Sequence, residues 1–142
     1  MGKEDVNKES LRKQIEEVWN KGNLEIIPEV ISTDFSMMDL SGVELKGPEG
    51  FSQMVTFWRS MFPDLRFTIV DMVAEGDKVA AHVTYTGTFT GPFGDIEPTG
   101  KQVNMMEATF YVFKDGKVIG QTIFLDFLSF YQQSGIPIPE NQ

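Results

Sequence analysis

The stretch KQVNMMEATFYVFKDGKVIGQTIFLD, Lys101 to Asp126, decides the fold. Two runs rich in β-branched and aromatic residues flank Lys114-Asp115-Gly116-Lys117, so the spacing predicts two antiparallel strands joined by a tight hairpin. The same period of two extends upstream. Leu65 to Ala74 reads as one strand, Glu75-Gly76-Asp77 as a turn, and Lys78 to Thr88 as the next strand, with Val79, Ala81, Val83 and Tyr85 alternating with Ala80, His82, Thr84 and Thr86. The Gly- and Pro-rich segment Thr90 to Gly100 is a long loop between this pair and the hairpin.

Before Leu65 the period is helical. Leu11, Ile15, Val18 and Trp19 form one apolar stripe that stops at Gly22, and Asn23 is placed to cap a shorter helix carrying Leu24, Ile27, Val30 and Ile31. Phe35 to Leu40 reads as a short extended piece. A third helix starts at Pro48, carries Phe51, Met54, Val55, Trp58 and Met61, and ends at Phe62-Pro63-Asp64, because the residue before a proline is pushed out of the helical region. A short helix or turn over Ser129 to Gln133 ends at Gly135. Three helices followed by four antiparallel strands is an α+β arrangement in one domain, 1–142, with its core at about residues 8–135. A chain of this length can bury roughly two-thirds of its unfolded surface in one core.

Composition narrows the function. With no cysteine and one histidine, thiolate and histidine-rich metal sites are not expected, nor is a disulfide. A net charge of -9 argues against nucleic acid, whose binding rests on clustered Lys and Arg. The first ten residues are polar and no apolar run approaches twenty, so neither a signal peptide nor a membrane span is expected, and the chain reads as cytoplasmic.

One residue stands out against this background. Asp126 lies inside VIGQTIFLDFLSF, Val118 to Phe130, and an ionised carboxylate is costly to bury without a partner. Either it is a functional group in an apolar site, or it caps the turn that follows, since Ser129 is three residues on and Gln132 three beyond that.

The landmarks Trp19-Asn20 with NKGNLE, Phe62-Pro63-Asp64, Glu75-Gly76-Asp77, Gly87-Thr88 with Thr90-Gly91, Pro98-Thr99-Gly100-Lys101, Asp115-Gly116-Lys117, Asp126 and Gly135 together resemble the SnoaL-like polyketide cyclases, over about residues 12 to 135. The resemblance implies a cone-shaped nuclear-transport-factor-2-like (cystatin-like) fold, with three N-terminal helices packed on a curved antiparallel sheet that encloses one apolar pocket and dimerises through its outer face. It also implies that Asp126 is the general acid/base of an intramolecular aldol ring closure, without metal or organic cofactor. An apolar pocket would raise the pKa of such a carboxyl toward neutrality. At Met38, Phe89, Val112 and Gly120 this chain has apolar or small residues where members of the family commonly carry polar ones.

Strand alternation puts Gly120, Thr122, Phe124 and Asp126 on one face. If Lys114 to Lys117 closes as a type I turn with Gly116 as a bulge, Asn104, Met106, Ala108, Phe110 and Val112 share that face. A two-residue type I′ turn would instead supply Met105, Glu107, Thr109 and Tyr111. The first pairing gathers the family's polar positions on one side, and it makes Asn104 the leading donor to Asp126, with His82 on the strand beyond. The expected walls are then Trp19, Phe35, Met38, Trp58, Met61, Phe89, Met106, Phe110 and Phe124, suited to a flat hydrophobic ligand, with Glu107 on the outer face. Two functions follow: an acid/base enzyme of cyclase or isomerase type acting on a hydrophobic carbonyl compound, or a non-catalytic binding module for a hydrophobic small molecule. A protein-interaction scaffold using the outer sheet face is a third, weaker reading, and a homodimer through that face is compatible with each.

Overall fold

The computed structural model describes residues 2–39 and 41–140. The first helical stripe forms α1, Lys3–Lys13, which runs on through a π-helical segment, Gln14–Asn20. Leu11, Ile15, Val18 and Trp19 are all buried along it. After Gly22, a single 3₁₀ turn, Leu24–Ile26, leads into the short α2, Ile27–Val30. Asn23 makes no side-chain cap to it, contrary to expectation. The extended piece is real but shorter than expected: β1, Ser36–Met38, pairs with β2, Glu44–Lys46, and Leu40 lies outside the described residues. Helix α3, Gly47–Met61, has its proline in the first turn and ends before Phe62-Pro63.

The four expected strands are β3, Arg66–Glu75, β4, Lys78–Thr88, β5, Gln102–Lys114, and β6, Lys117–Leu125. They form one antiparallel meander in the order β3-β4-β5-β6, and α4, Phe127–Ser134, closes the chain against β5. The helices cover one face of this sheet. Val79, Ala81, Val83 and Tyr85 of β4 point into the core with Val103, Met105, Thr109, Tyr111 and Phe113 of β5. Trp19 stacks on Phe67 at 4.8 Å and Phe67 packs on Tyr85 at 5.1 Å, which ties the first helix to the sheet. Among the described residues no helix is long and apolar enough to cross a membrane.

Several of the sequence landmarks hold this framework together. The Asn20 side chain accepts from Phe67 N–H at 2.6 Å and donates to Phe67 C=O at 2.9 Å, so one amide imitates a neighbouring strand at the free edge of β3. Asp64 accepts from Thr88 N–H at 2.7 Å and from its hydroxyl at 2.8 Å, tying the end of α3 to the end of β4. Partial burial opposes ionisation of Asp64, but these two donors prevail and its pKa is lowered. Gly91 sits where an added Cβ would lie 1.7 Å from the Ser60 carbonyl oxygen, so the 90–100 loop can cross the end of α3 only with glycine there.

The β5–β6 hairpin settles which residues share a face. Asp115 and Gly116 both have positive φ, 52° and 76°, and Lys114 pairs with Lys117, so the turn is a two-residue loop of type I′ character. The register then slips by one residue: Phe113 faces Val118 while Val112 faces Gly120, leaving Ile119 as a bulge. The bulge undoes the phase that the turn would have set. Gly120, Thr122 and Phe124 therefore do share a face with Val112, Phe110 and Ala108, as expected. That face is the outer one.

Candidate active site on the inner face of the sheet

The expected constellation does not assemble. Asp126 is exposed at the N-cap of α4, where its carboxylate accepts from Ser129 N–H at 3.1 Å and from the Ser129 hydroxyl at 2.7 Å. Those two donors favour the charged form and lower its pKa, the opposite of the shift an apolar pocket would give. Asn104 is exposed on the outer face opposite Thr86, and its backbone N–H donates to Gln133 Oε1 at 2.6 Å. His82 is exposed on the same face, between Asp71 and Ala108. Of the expected walls, Met38, Met106, Phe110 and Phe124 are more than half exposed. Trp19, Phe35, Met61 and Phe89 are buried in the core, and Trp58 alone is half-buried. Outward parity explains the strand residues, since the helices cover the other side.

The inner face carries a different group of polar residues. Glu107, expected outside, points inward in register with Val83 on β4 and Leu125 on β6. One row along lie Thr109 and Ile123, and one row further Tyr111 and Gln121. Glu107 has no hydrogen-bond or ion-pair partner among the described residues, and burial lifts its carboxyl to about 7. Burial also raises the Tyr85 and Tyr111 hydroxyls, and the negative charge of Glu107 adds to both shifts. Two phenols are thereby held neutral as donors beside a carboxyl poised between its two forms. Thr109 is 1% exposed, and its Oγ1 forms no hydrogen bond of good geometry, although the Tyr111 hydroxyl lies close enough for it to temper that rise. Gln121 Nε2 donates to Met37 Sδ at 3.5 Å, which leaves Gln121 Oε1 buried without a donor.

Coverage of the inner face is uneven. Over β4, Val79, Ala81 and Val83 are sealed, whereas toward β6 Glu107, Gln121, Ile123 and Leu125 are only half-buried. Met37, Met54, Trp58 and Tyr131 are half-buried too and pack against the core. Trp58 meets Phe130 edge-on at 5.8 Å, and Phe130 meets Tyr131. The inner face of β3–β6 presents no Lys, Arg or His among the described residues. Two open grooves, of about 530 and 520 Å³, lie elsewhere along α1, the first lined by Lys8, Arg12 and Arg66 and the second by Asn7, Asp77 and Phe113. Neither touches Glu107 or any expected wall residue, and toward β6 the inner face is a half-covered strip along β5 and β6. Among the described residues no cluster of His, Cys, Asp and Glu could hold a metal ion.

A carboxyl near neutrality, two neutral phenols and an apolar surround can move a proton at carbon beside a carbonyl. The turn did not announce this group, since the bulge at Ile119 cancels the phase of the Asp115-Gly116 turn; Met105, Glu107, Thr109 and Tyr111 point inward because the helices cover their side of β5.

Comparison with known proteins agrees with the architecture. The model of the SnoaL-like polyketide cyclase family matches residues 9–134. Similar solved structures include a protein from Acidithiobacillus ferrooxidans, provisionally assigned as a polyketide cyclase, at 31% identity, TM-score 0.80 and coverage of 95% of this chain and 98% of that one. A provisionally assigned SnoaL-like polyketide cyclase from Jannaschia sp. CCS1 is 25% identical, with TM-score 0.86 and 97% of both chains covered. IdmH from Streptomyces antibioticus, also provisionally assigned as a polyketide cyclase, is 25% identical with TM-score 0.78, over 92% of this chain and 99% of that one. No curated protein sequence matches significantly. With helices packed on one face of a curved antiparallel sheet and the family pattern running through nearly its whole length, the chain belongs to the SnoaL-like polyketide cyclase family, with the nuclear-transport-factor-2-like fold.

Proposed function

We propose that this protein is a cofactor-independent acid/base enzyme of the cyclase or isomerase type, acting on a hydrophobic carbonyl compound at the inner face, with Glu107 as the proton-transfer group. The supporting observation is the unpartnered, inward-facing Glu107 carboxyl lifted to about 7. In its ionised form Glu107 takes a proton from the carbon next to a carbonyl. The electron pair moves onto the carbonyl oxygen, and the Tyr85 and Tyr111 hydroxyls are the donors available to that enolate. The enolate carbon attacks a second carbonyl of the same molecule, and protonated Glu107 returns its proton to the alkoxide formed. A pKa near 7 suits both halves of this cycle at neutral pH. The test is mass analysis of candidate polyketone substrates incubated with the wild type and with Glu107→Gln: a ring-closed or isomerised product formed by the first and not by the second supports the reading, and equal product from both overturns it.

The second reading, a binding module, is favoured by the half-buried apolar set Met37, Met54, Trp58, Leu125 and Tyr131. It predicts that every bound compound is recovered unchanged from the wild type. We further propose a homodimer through the outer sheet face. Met106, Phe110 and Phe124 are 62, 54 and 59% exposed there, the two rings pack edge-on at 6.0 Å, and Val73 is exposed on the same sheet. A second copy would cover that apolar patch.

A further inference from the structure

We infer that Thr109 and Gln121 form a recognition pair for a ligand hydroxyl, a phenol or an enol, on a neutral flat carbonyl compound; this rests on the reading of Glu107 as the proton-transfer group of the same face. Buried polar atoms in folded proteins are almost always hydrogen-bonded, and the exceptions call for an account. Here two such exceptions lie on the inner face as diagonal neighbours of β5 and β6: Thr109 Oγ1, opposite Ile123, and Gln121 Oε1, opposite Tyr111. The Gln121 amide is oriented by Met37, whose sulfur can only accept, so the amide nitrogen faces Met37 and the oxygen is the atom left over. That oxygen can be satisfied only by a donor. Thr109 Oγ1 has a proton to give and forms no hydrogen bond of good geometry, so a single ligand hydroxyl can donate to Gln121 Oε1 and accept from Thr109.

Their places in the register fix what a ligand would look like. Thr109 is one same-face step from Glu107, and Gln121, opposite Tyr111, is two steps away. Each step is about 7 Å, so a hydroxyl held by this pair lies roughly two to four fused rings from a carbon whose proton Glu107 removes. Among the described residues the inner face of β3–β6 carries no cation, so an anionic handle such as a carboxylate or phosphate meets no charge partner on the sheet, whereas a neutral hydroxyl meets this pair. The other two unpartnered buried oxygens, Ser10 Oγ and Gln14 Oε1, belong to the first helical segments and not to this strip.

The test uses β-naphthol and its methyl ether, titrated by calorimetry into the full-length protein, Thr109→Val, Gln121→Leu and Glu107→Gln. The wild type is expected to bind the naphthol about ten-fold tighter than the ether, as one neutral hydrogen bond to a buried acceptor allows. Gln121→Leu should shrink that ratio to within about two-fold while leaving the ether's affinity nearly unchanged, and Thr109→Val, which removes the donor to the ligand oxygen, should weaken both compounds by several-fold. Glu107→Gln should keep the ratio. A wild-type ratio near one, a ratio unchanged in Gln121→Leu, or no saturation by either compound overturns the inference. Full turnover by Glu107→Gln with the ratio intact would instead defeat the acid/base reading and leave the recognition pair standing.

Discussion

Two carboxylates, Glu107 on the inner face and Asp126 at the junction of β6 and α4, reverse the roles their sequence neighbours suggest. Asp126 sits between Leu125 and Phe127, yet in space it is an exposed helix cap whose donors hold its pKa down. Glu107 sits next to Met106 and Ala108, both exposed, yet it points into the covered side of the sheet and its pKa rises to about 7. Apolar neighbours along the chain do not make an apolar site. Strand parity and helix ends do, because successive side chains of a strand leave by opposite faces and the first N–H groups of a helix need an acceptor.

This contrast can be broken most forcefully through turnover. If Glu107 transfers the proton, Glu107→Gln lowers kcat on a turned-over polyketone by about 10² to 10⁴-fold while the fold persists. Asp126→Asn retains most activity. A reversal of these two results would restore Asp126 as the acid/base.

The next effect is on stability, and its sign follows from proton binding. Relative to an unfolded value of 4.5, the folded Glu107 binds its proton up to about pH 7, so the folded state gains relative stability in acid and loses it as pH rises through that window. The shift corresponds to about 3 kcal/mol at most. Glu107→Gln is therefore expected to be more stable than the wild type at pH 8 and nearly equal to it at about pH 4, as read by urea denaturation at each pH. A variant less stable than the wild type at pH 8 would mean that the ionised carboxylate has a partner.

The outer face offers a third comparison. Phe124→Glu puts a charge into the exposed Phe110–Phe124 pair, and light scattering is expected to report a monomer where the wild type gives a dimer, with the circular dichroism spectrum unchanged. A wild type that stays monomeric at high concentration would sink the dimer. The smallest effect is at the cap. Asp126→Ala should lower Tm by a few degrees at neutral pH, and the deficit should close as pH falls through the lowered pKa of Asp126, because the cap then loses its charge.

Much of the fold was legible because local signals agreed. The change of period at Leu65, the turns at Gly76 and Gly116 and the stop at Pro63 gave the strand order and three helices nearly as they stand. The pairing of β1 with β2 was not readable, since three-residue strands carry too little pattern. The inner and outer faces of β5 were confused for a physical reason. Both parities are apolar, with Met105 and Tyr111 on one side and Met106 and Phe110 on the other, so alternation alone does not say which side the helices cover. The bulge at Ile119 does not add to this confusion, because it restores the expected pairing of Gly120, Thr122 and Phe124 with Val112, Phe110 and Ala108. Nothing in VIG marks a slipped register, and a slip of one residue moves every later side chain of β6 to the opposite face. For Asp126 the spacing to Ser129 did announce a cap, and the structure realises it.

The most direct measurement is a carbon-detected NMR titration of the side-chain carboxyls, with Glu107 and Asp126 followed in the same sample. Glu107 is expected to titrate near 7 while Asp126 titrates below the usual aspartate value of 3.8. A Glu107 that titrates near 4.5, or an Asp126 that titrates above it, would mean that Glu107 is not the poised carboxyl of this fold.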